Sequence, residues 1–413
     1  MNLLLYNIKG LVQVEKHTSS KVCGADMAKL PQVNDAWLLI KDDKIASFGP
    51  MHYLPEIENA EKHDVTGCFV FPSYIDPHTH MVFAGSREHE FVMKIKGASY
   101  EEIAAAGGGI LNSAELLAKT SGEVLFESTR KRLFEVIRSG TGAIEIKSGY
   151  GLSTEGEIKM LRVIKALKEI SPIPIKATFL GAHAMPAIYK NNREQYIDEI
   201  INHMIPVIKA EGLADYIDVF CDRGFFTPAE TDRILKAGIK SGLKPRIHAN
   251  ELDYSGGIQI GVANHALSVD HLEFTGKEEI EALLNSDTMP VLLPSTAFFL
   301  KLKYPPAREM IDAGLPIALA SDYNPGTSPS GNMNFVLSLA CLYLKMTPEE
   351  VINAATINSA HSLELGDKLG SICPGKTANL FITEPISTYE FVPYSFGNNR
   401  IKDVILNGKF WRE

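Results

Sequence analysis

Apolar and polar positions change their rhythm twice along the chain. The first seventy residues carry short extended pieces, NLLLYNIKGLVQV and AWLLIKDDKIASFGP, the second with Asp42 and Asp43 as a turn between two apolar runs. The last forty have the same texture in GSICPGKTANLFIT and IKDVILNGKFWRE, where Gly, Asn and Pro separate short strands. Both ends therefore predict pieces of a small β-module, and their likeness predicts that the two termini share it.

Between them, eight short apolar runs alternate with longer helical patterns. The runs are CFVFPSYIDPHTH from Cys68, GAIEIKSGYG from Gly142, IKATFLGAHA from Ile175, ADYIDVFCD from Ala214, PRIHANEL from Pro245, ALSVDHLE from Ala266, MPVLLPSTA from Met289 and PIALASDYNPG from Pro316. In the clearest helical pattern Ile158, Leu161, Ile164, Leu167 and Ile170 share one face, which stops at Ser171-Pro172. Thr227-Pro228-Ala229-Glu230 and Thr347-Pro348-Glu349-Glu350 each read as a capping box with proline at the first helical position. Eight β/α pairs over about 290 residues predict an α/β fold, a TIM (β/α)8 barrel with insertions. The layout expected is one part of a β-sandwich over 1–66, the barrel over 67–368 and the rest of the sandwich over 369–413.

Composition narrows what such a barrel could do. The 413 residues include 41 Lys+Arg against 50 Asp+Glu, a formal charge of −9, which argues against nucleic-acid partners because phosphate contact needs a basic footprint. A 45% hydrophobic content excludes disorder. Cys23, Cys68, Cys221, Cys341 and Cys373 are scattered, odd in number and never in a CxxC pair, as expected of a reducing cytoplasm. The N-terminal residues are apolar only briefly and carry no basic leader, so no signal peptide is expected. The apolar stretch from Met289 to Leu300 is broken by Pro290 and Pro294, so no membrane partner is expected either.

Chemistry enters with the residues that end the runs. His78, His80, Tyr150, His183, Asp222, His248, His271 and Asp322 all lie at the C-terminal ends of the runs or just beyond, where a barrel gathers its active site. Residues two apart in a strand point the same way, so His78 and His80 can reach one ion. Twelve histidines in 413 positions give an HxH pattern about 0.35 times by chance, so the motif needs company. His248 closing the fifth run and Asp322 closing the eighth supply it: three imidazoles and a carboxylate suit one metal ion, zinc or iron, whose bound water is a hydrolase's nucleophile. Glu251 and His271 can face the same site, and Asp322, His271 and Glu251 are all candidates for moving protons.

Longer motifs carry a resemblance. His78-Thr79-His80-Met81-Val82-Phe83-Ala84-Gly85-Ser86-Arg87, Glu145-Ile146-Lys147-Ser148-Gly149-Tyr150-Gly151, Phe179-Leu180-Gly181-Ala182-His183, His248-Ala249-Asn250-Glu251 and Ala320 through Thr327 resemble the amidohydrolase superfamily over essentially the whole chain. More narrowly they are similar to the branch that opens the ring of 4-imidazolone-5-propanoate in histidine degradation, giving N-formimidoyl-L-glutamate. The resemblance implies a metal-bearing barrel with a β-sandwich from both termini. It implies one divalent or trivalent ion held by His78, His80, His248 and Asp322, beside the Glu251, His271 and Asp322 whose placement already makes them the catalytic candidates. It also implies that Arg87 and Tyr150 hold the substrate carboxylate, that His183 and Glu251 contact the ring, and that Asn324, Gly326 and Thr327 line the far wall. The expected partners are a small carboxylate substrate and a second copy of the chain in a homodimer.

Other readings of these residues stay in view. Some relatives carry a carboxylated lysine between two metals, but the single-metal resemblance makes Lys147 a structural cation or one supporting the ligands from behind. Gly107-Gly108-Gly109 lacks the strand and Lys-Ser/Thr of a P-loop and reads as a mobile loop bordering the site. No motif gives Cys221 a base that would make it a nucleophile. A deaminase of a heterocycle such as guanine would use a similar ligand set, although a purine gives Arg87 and Tyr150 no carboxylate to hold. A metal-free scaffold typically loses ligands, whereas all four positions are filled here.

Overall fold

The computed structural model describes residues 2–18, 21–98, 102 and 108–413. Eight parallel strands pair in chain order: Tyr74–Asp76, Thr141–Lys147, Ile175–Ala182, Tyr216–Cys221, Lys244–Ala249, Ser268–His271, Met289–Leu292 and Ala318–Leu319. The residues just after the last and first strands close the ring, with Asp322 N–H donating to His78 O at 3.0 Å and His80 N–H to Tyr323 O at 2.9 Å. The Asp76 carboxylate adds a stitch by accepting the Ser321 N–H at 3.0 Å. All eight predicted runs thus supply a barrel strand.

Alternation along these strands separates two environments. Ile144, Ile146, Val219, Ile247 and Val269 are fully buried in the apolar layer shared with the helices. Their neighbours Glu145, Lys147, Asp218, Arg246, His248 and Asp270 point the other way and are just as buried, so the barrel interior carries charge. Helix Thr154–Ile170 is capped by Ser153, whose hydroxyl accepts the Gly156 N–H at 3.1 Å. Ile158, Leu161, Ile164 and Leu167 are buried as predicted, and Ile170 at the frayed end is 47% exposed. Both capping boxes form, at Thr227 with Glu230 and at Thr347 with Glu350, each a contribution of about 1 kcal/mol.

The terminal segments build one further sheet of eight strands. Its order runs Lys409–Phe410, Ile401–Leu406, Leu380–Thr383, Phe69–Pro72, Asn2–Val12, Gln32–Lys41 and Lys44–Pro50, with Ala60–Asp64 also paired to Asn2–Val12. Ile45 near one end of that order and Ile405 near the other share a core with Leu5, Ile8, Val70 and Leu380, so the sheet curls over a common interior. The first predicted run is split here. Phe69–Pro72 pairs with Leu380–Ile382 in the terminal sheet, and only Tyr74–Asp76 enters the barrel. Ser73 lies between the two strands, so the chain crosses between layers in one residue. Among the described residues, no helix is long and apolar enough to cross a membrane.

Candidate metal centre and substrate cavity

His78 and His80 follow the first strand, His248 ends the fifth, and Asp322 follows the eighth, so ring closure brings all four together. His80 Nε2 lies 3.3 Å from His78 Nε2 and 3.2 Å from His248 Nε2. Asp322 Oδ1 lies 3.5 Å from His78 Nε2 and 3.6 Å from His80 Nε2. The opposite edges of two rings are fixed by carboxylates: His78 Nδ1 donates to Asp270 Oδ2 at 2.6 Å, and His248 Nδ1 stands 3.0 Å from Asp218 Oδ2. The Asp270 bond places the His78 proton on Nδ1, the Asp218 carboxylate favours the same tautomer in His248, and the Nε2 atoms are left to face one another. Burial holds the His78, His80 and His271 imidazoles well below their ordinary pKa, so all three are neutral, as metal ligation requires of the first two. Acceptors crowded within hydrogen-bond distance with no proton to share fit a divalent cation, and the donor set is nitrogen and oxygen.

Behind the imidazoles lies a closed charge cluster. Lys147 Nζ is 2.8 Å from Glu145 Oε1, 2.9 Å from Asp218 Oδ2 and 3.8 Å from Asp270 Oδ2. Arg246 reaches Asp270 at 3.6 Å and donates to Pro77 O at 2.9 Å. Burial opposes the charge on Lys147, but Asp218 and Glu145 outweigh it and hold the ammonium protonated. Lys147 therefore pairs with the very carboxylates that orient His78 and His248. Three non-glycine residues of the site sit in the left-handed region, Asn250 (φ 55°), His271 (φ 86°) and Asp322 (φ 53°), the kind of backbone strain that surrounding structure must impose. Asp322 is held by Thr296, whose hydroxyl donates to Oδ2 at 2.5 Å.

A cavity of about 630 Å³ opens over this cluster. Of the residues placed at the site by sequence, two do not line it: His78 lies beneath its floor and is fully buried, and Asp222 stands outside it, accepting the Leu252 N–H at 2.8 Å. Tyr150 bridges two parts of the wall, its ring centroid 5.9 Å from that of His80 and 5.8 Å from the Arg87 guanidinium carbon. His183 stacks on His80 at 5.2 Å and sets its Nδ1 3.0 Å from Gly149 O. That approach needs glycine at 149, where φ is 110° and a Cβ would come within 2.8 Å of the ring. Glu251 Oε2 lies 3.7 Å from His271 Nδ1. Burial, followed by the charges of Asp322 and Asp222, pushes the Glu251 carboxyl up to about 8, while burial moves Asp322 only to about 6.

Asn324 lines the cavity, but its amide is spent within its own turn. Nδ2 donates to Asp322 O and to Thr327 Oγ1, each at 2.7 Å, and Oδ1 accepts the Gly326 and Thr327 N–H groups, each at 2.8 Å. Four bonds exhaust an amide, so Asn324 shapes the wall and leaves contact to its neighbours. Cys221 is buried outside the cavity, with burial pushing its thiol up to about 11, against a nucleophilic role. Of the predicted glycine loop, Gly107 lies outside the described residues, and Gly109 lines the cavity at the start of helix Ile110–Lys119. Sequence reasoning missed Glu90, Lys94, Phe220, Phe225 and Leu300, which complete the wall without belonging to any motif. A wider cleft of about 840 Å³ on the terminal sheet is lined by none of the predicted site residues.

Comparison with known proteins gives one consistent picture. The amidohydrolase family model matches residues 69–411. The imidazolonepropionase of Flavobacterium johnsoniae is 58% identical over 409 residues, spanning 99% of this chain and all of that protein. The imidazolonepropionase of Christiangramia forsetii is 54% identical over 409 residues, with the same two coverages. A guanine deaminase of C. acetobutylicum, solved with guanine bound, superposes with a TM-score of 0.72 over the full length of both chains at 15% identity, a likeness of fold.

Proposed function

Because this chain belongs to the amidohydrolase family and shares more than half its residues, end to end, with imidazolonepropionases, we infer that it is a hydrolase that opens the cyclic amide of 4-imidazolone-5-propanoate to N-formimidoyl-L-glutamate. The observation that carries the reading is one cavity holding both a convergent imidazole and carboxylate cluster and a guanidinium whose Nη2 is buried without a hydrogen-bond partner among the described residues. A purine offers that guanidinium no carboxylate, which favours ring opening over deamination.

His78, His80, His248 and Asp322 are assigned as ligands of one ion, zinc or iron, since imidazole and carboxylate accept both. When bound, such an ion makes water acidic enough to act as a nucleophile near neutrality. The chain's own groups handle the protons. Hydrolysis takes one proton from the attacking water and gives one to the ring nitrogen as the carbon–nitrogen bond breaks. Asp322 is ionised at neutral pH and suits the first task. Glu251, held protonated to about pH 8, suits the second. His271, neutral and beside Glu251, is placed to hydrogen-bond the carbonyl oxygen as charge builds there. Arg87 and Tyr150 hold the propanoate, and His183 contacts the ring. The five free cysteines suit a cytoplasmic setting.

Turnover of 4-imidazolone-5-propanoate before and after chelation, alongside elemental analysis, tests this directly. Turnover is expected to vanish with the metal and return on adding Zn²⁺ or Fe²⁺. Full turnover by metal-free protein would overturn the assignment.

A further inference from the structure

The geometry points to Ser113 as the residue that sets the direction in which Arg87 meets the substrate, an inference that rests on Arg87 being the carboxylate anchor. Arg87 caps the start of helix Glu88–Ile95, and nothing in its backbone fixes the course of a long side chain carrying about 2 kcal/mol of rotamer entropy. Three contacts remove that freedom. Arg87 Nε donates to Ser113 Oγ at 2.9 Å. Gly326 packs so closely that a Cβ there would come within 2.5 Å of Nη1. Glu90 Oε1 lies 3.8 Å from Nε and accepts the Gly109 N–H at 2.8 Å, and Gly109 begins the helix that carries Ser113.

These contacts decide which edge of the guanidinium is available. A carboxylate can meet arginine side-on, through Nε and Nη2, or end-on, through the two Nη groups. With Nε spent on Ser113, the side-on mode is closed. Nη2 remains, buried and without a hydrogen-bond partner among the described residues. Ser113 therefore turns the end-on edge, with Nη2, toward the carboxylate. Among the described residues, the charged groups lining this part of the wall are Arg87, Lys94 and Glu90, two positive and one negative, a sum that matches one carboxylate. Ser113 touches no reacting atom and is a positioning residue.

The test compares 4-imidazolone-5-propanoate with its propanamide analogue, which has no carboxylate. Ser113→Ala is expected to raise KM for the acid about tenfold, the scale of one hydrogen bond to a charged group, with kcat changed less than about twofold. It should leave kcat/KM for the amide and the metal content unchanged, and Ser113→Thr, which keeps the hydroxyl, should restore KM. Equal losses on acid and amide, or an unchanged KM for the acid, would overturn the positioning role. Arg87→Ala, run beside it, separates the two levels: a normal KM there removes the anchor itself, whereas a raised KM with a normal Ser113→Ala removes only Ser113.

Discussion

On the His80 side of the cavity, every side chain assigned to the ion comes from a barrel strand or the few residues after it, and two of the imidazoles face carboxylates on other strands. Asp218 faces His248 from the fourth strand, Asp270 faces His78 from the sixth, and Lys147 ties both from the second. On the Arg87 side, the guanidinium, Ser113, Glu90 and Gly326 come from helix starts and a loop, joined by few bonds. The first wall is over-determined and charged, the second assembled from interchangeable parts. Chemistry that tolerates little misplacement sits on strands, while selection for one substrate tail sits on segments that can vary without disturbing the barrel.

Glu251, on the loop where the two walls meet, gives the largest way to probe that contrast. Glu251→Gln should lower kcat by about 10²–10⁴-fold with metal content unchanged, measured by steady-state rates and elemental analysis. The native rate should fall above about pH 8, where Glu251 loses the proton it donates. In the Gln variant the upper limb should disappear. A rate that instead rises through pH 8 would make Glu251 the base. Next in size, Lys147→Met leaves Glu145 and Asp218 buried without their cation, and chemical denaturation should show a loss of about 3–5 kcal/mol. Stability within 1 kcal/mol of native would mean the cluster is less interlocked than its distances indicate. The smallest global effect belongs to the other wall. Arg87→Ala should raise KM about ten- to a hundredfold while the melting temperature and bound metal stay native. Metal loss in that variant would erase the distinction between the walls.

How much of this was legible in the sequence follows from where partners lie. A strand's period of two makes His78 and His80 neighbours without any structure, and a barrel's common mouth brings His248 and Asp322 to them. Local chemistry likewise announces the Thr227 and Thr347 caps. The split of the first run was not legible, because Phe69–Pro72 owes its place to Leu380–Ile382, some three hundred positions away, and its apolar texture suits either sheet. Lys147 reads as a structural cation, but that its partners are Asp218 and Asp270 shows only when two other strands bring them to it. That the Asn324 amide is already saturated within four residues is likewise invisible in sequence. Ser113 belongs to no motif and acquires its role only through the side chain it meets.

The terminal sheet also orders events in time. Phe69–Pro72 lies between Asn2–Val12, made before it, and Leu380–Thr383, made some three hundred residues later. At about 5–20 residues per second, a ribosome takes roughly 15–60 s to bridge that interval. Throughout it one edge of the strand is unsatisfied, a template for any extended segment that passes. The barrel's early strands emerge during the same wait, so the chain is most exposed to mispairing while it is being made, and the last forty residues end that exposure when they arrive.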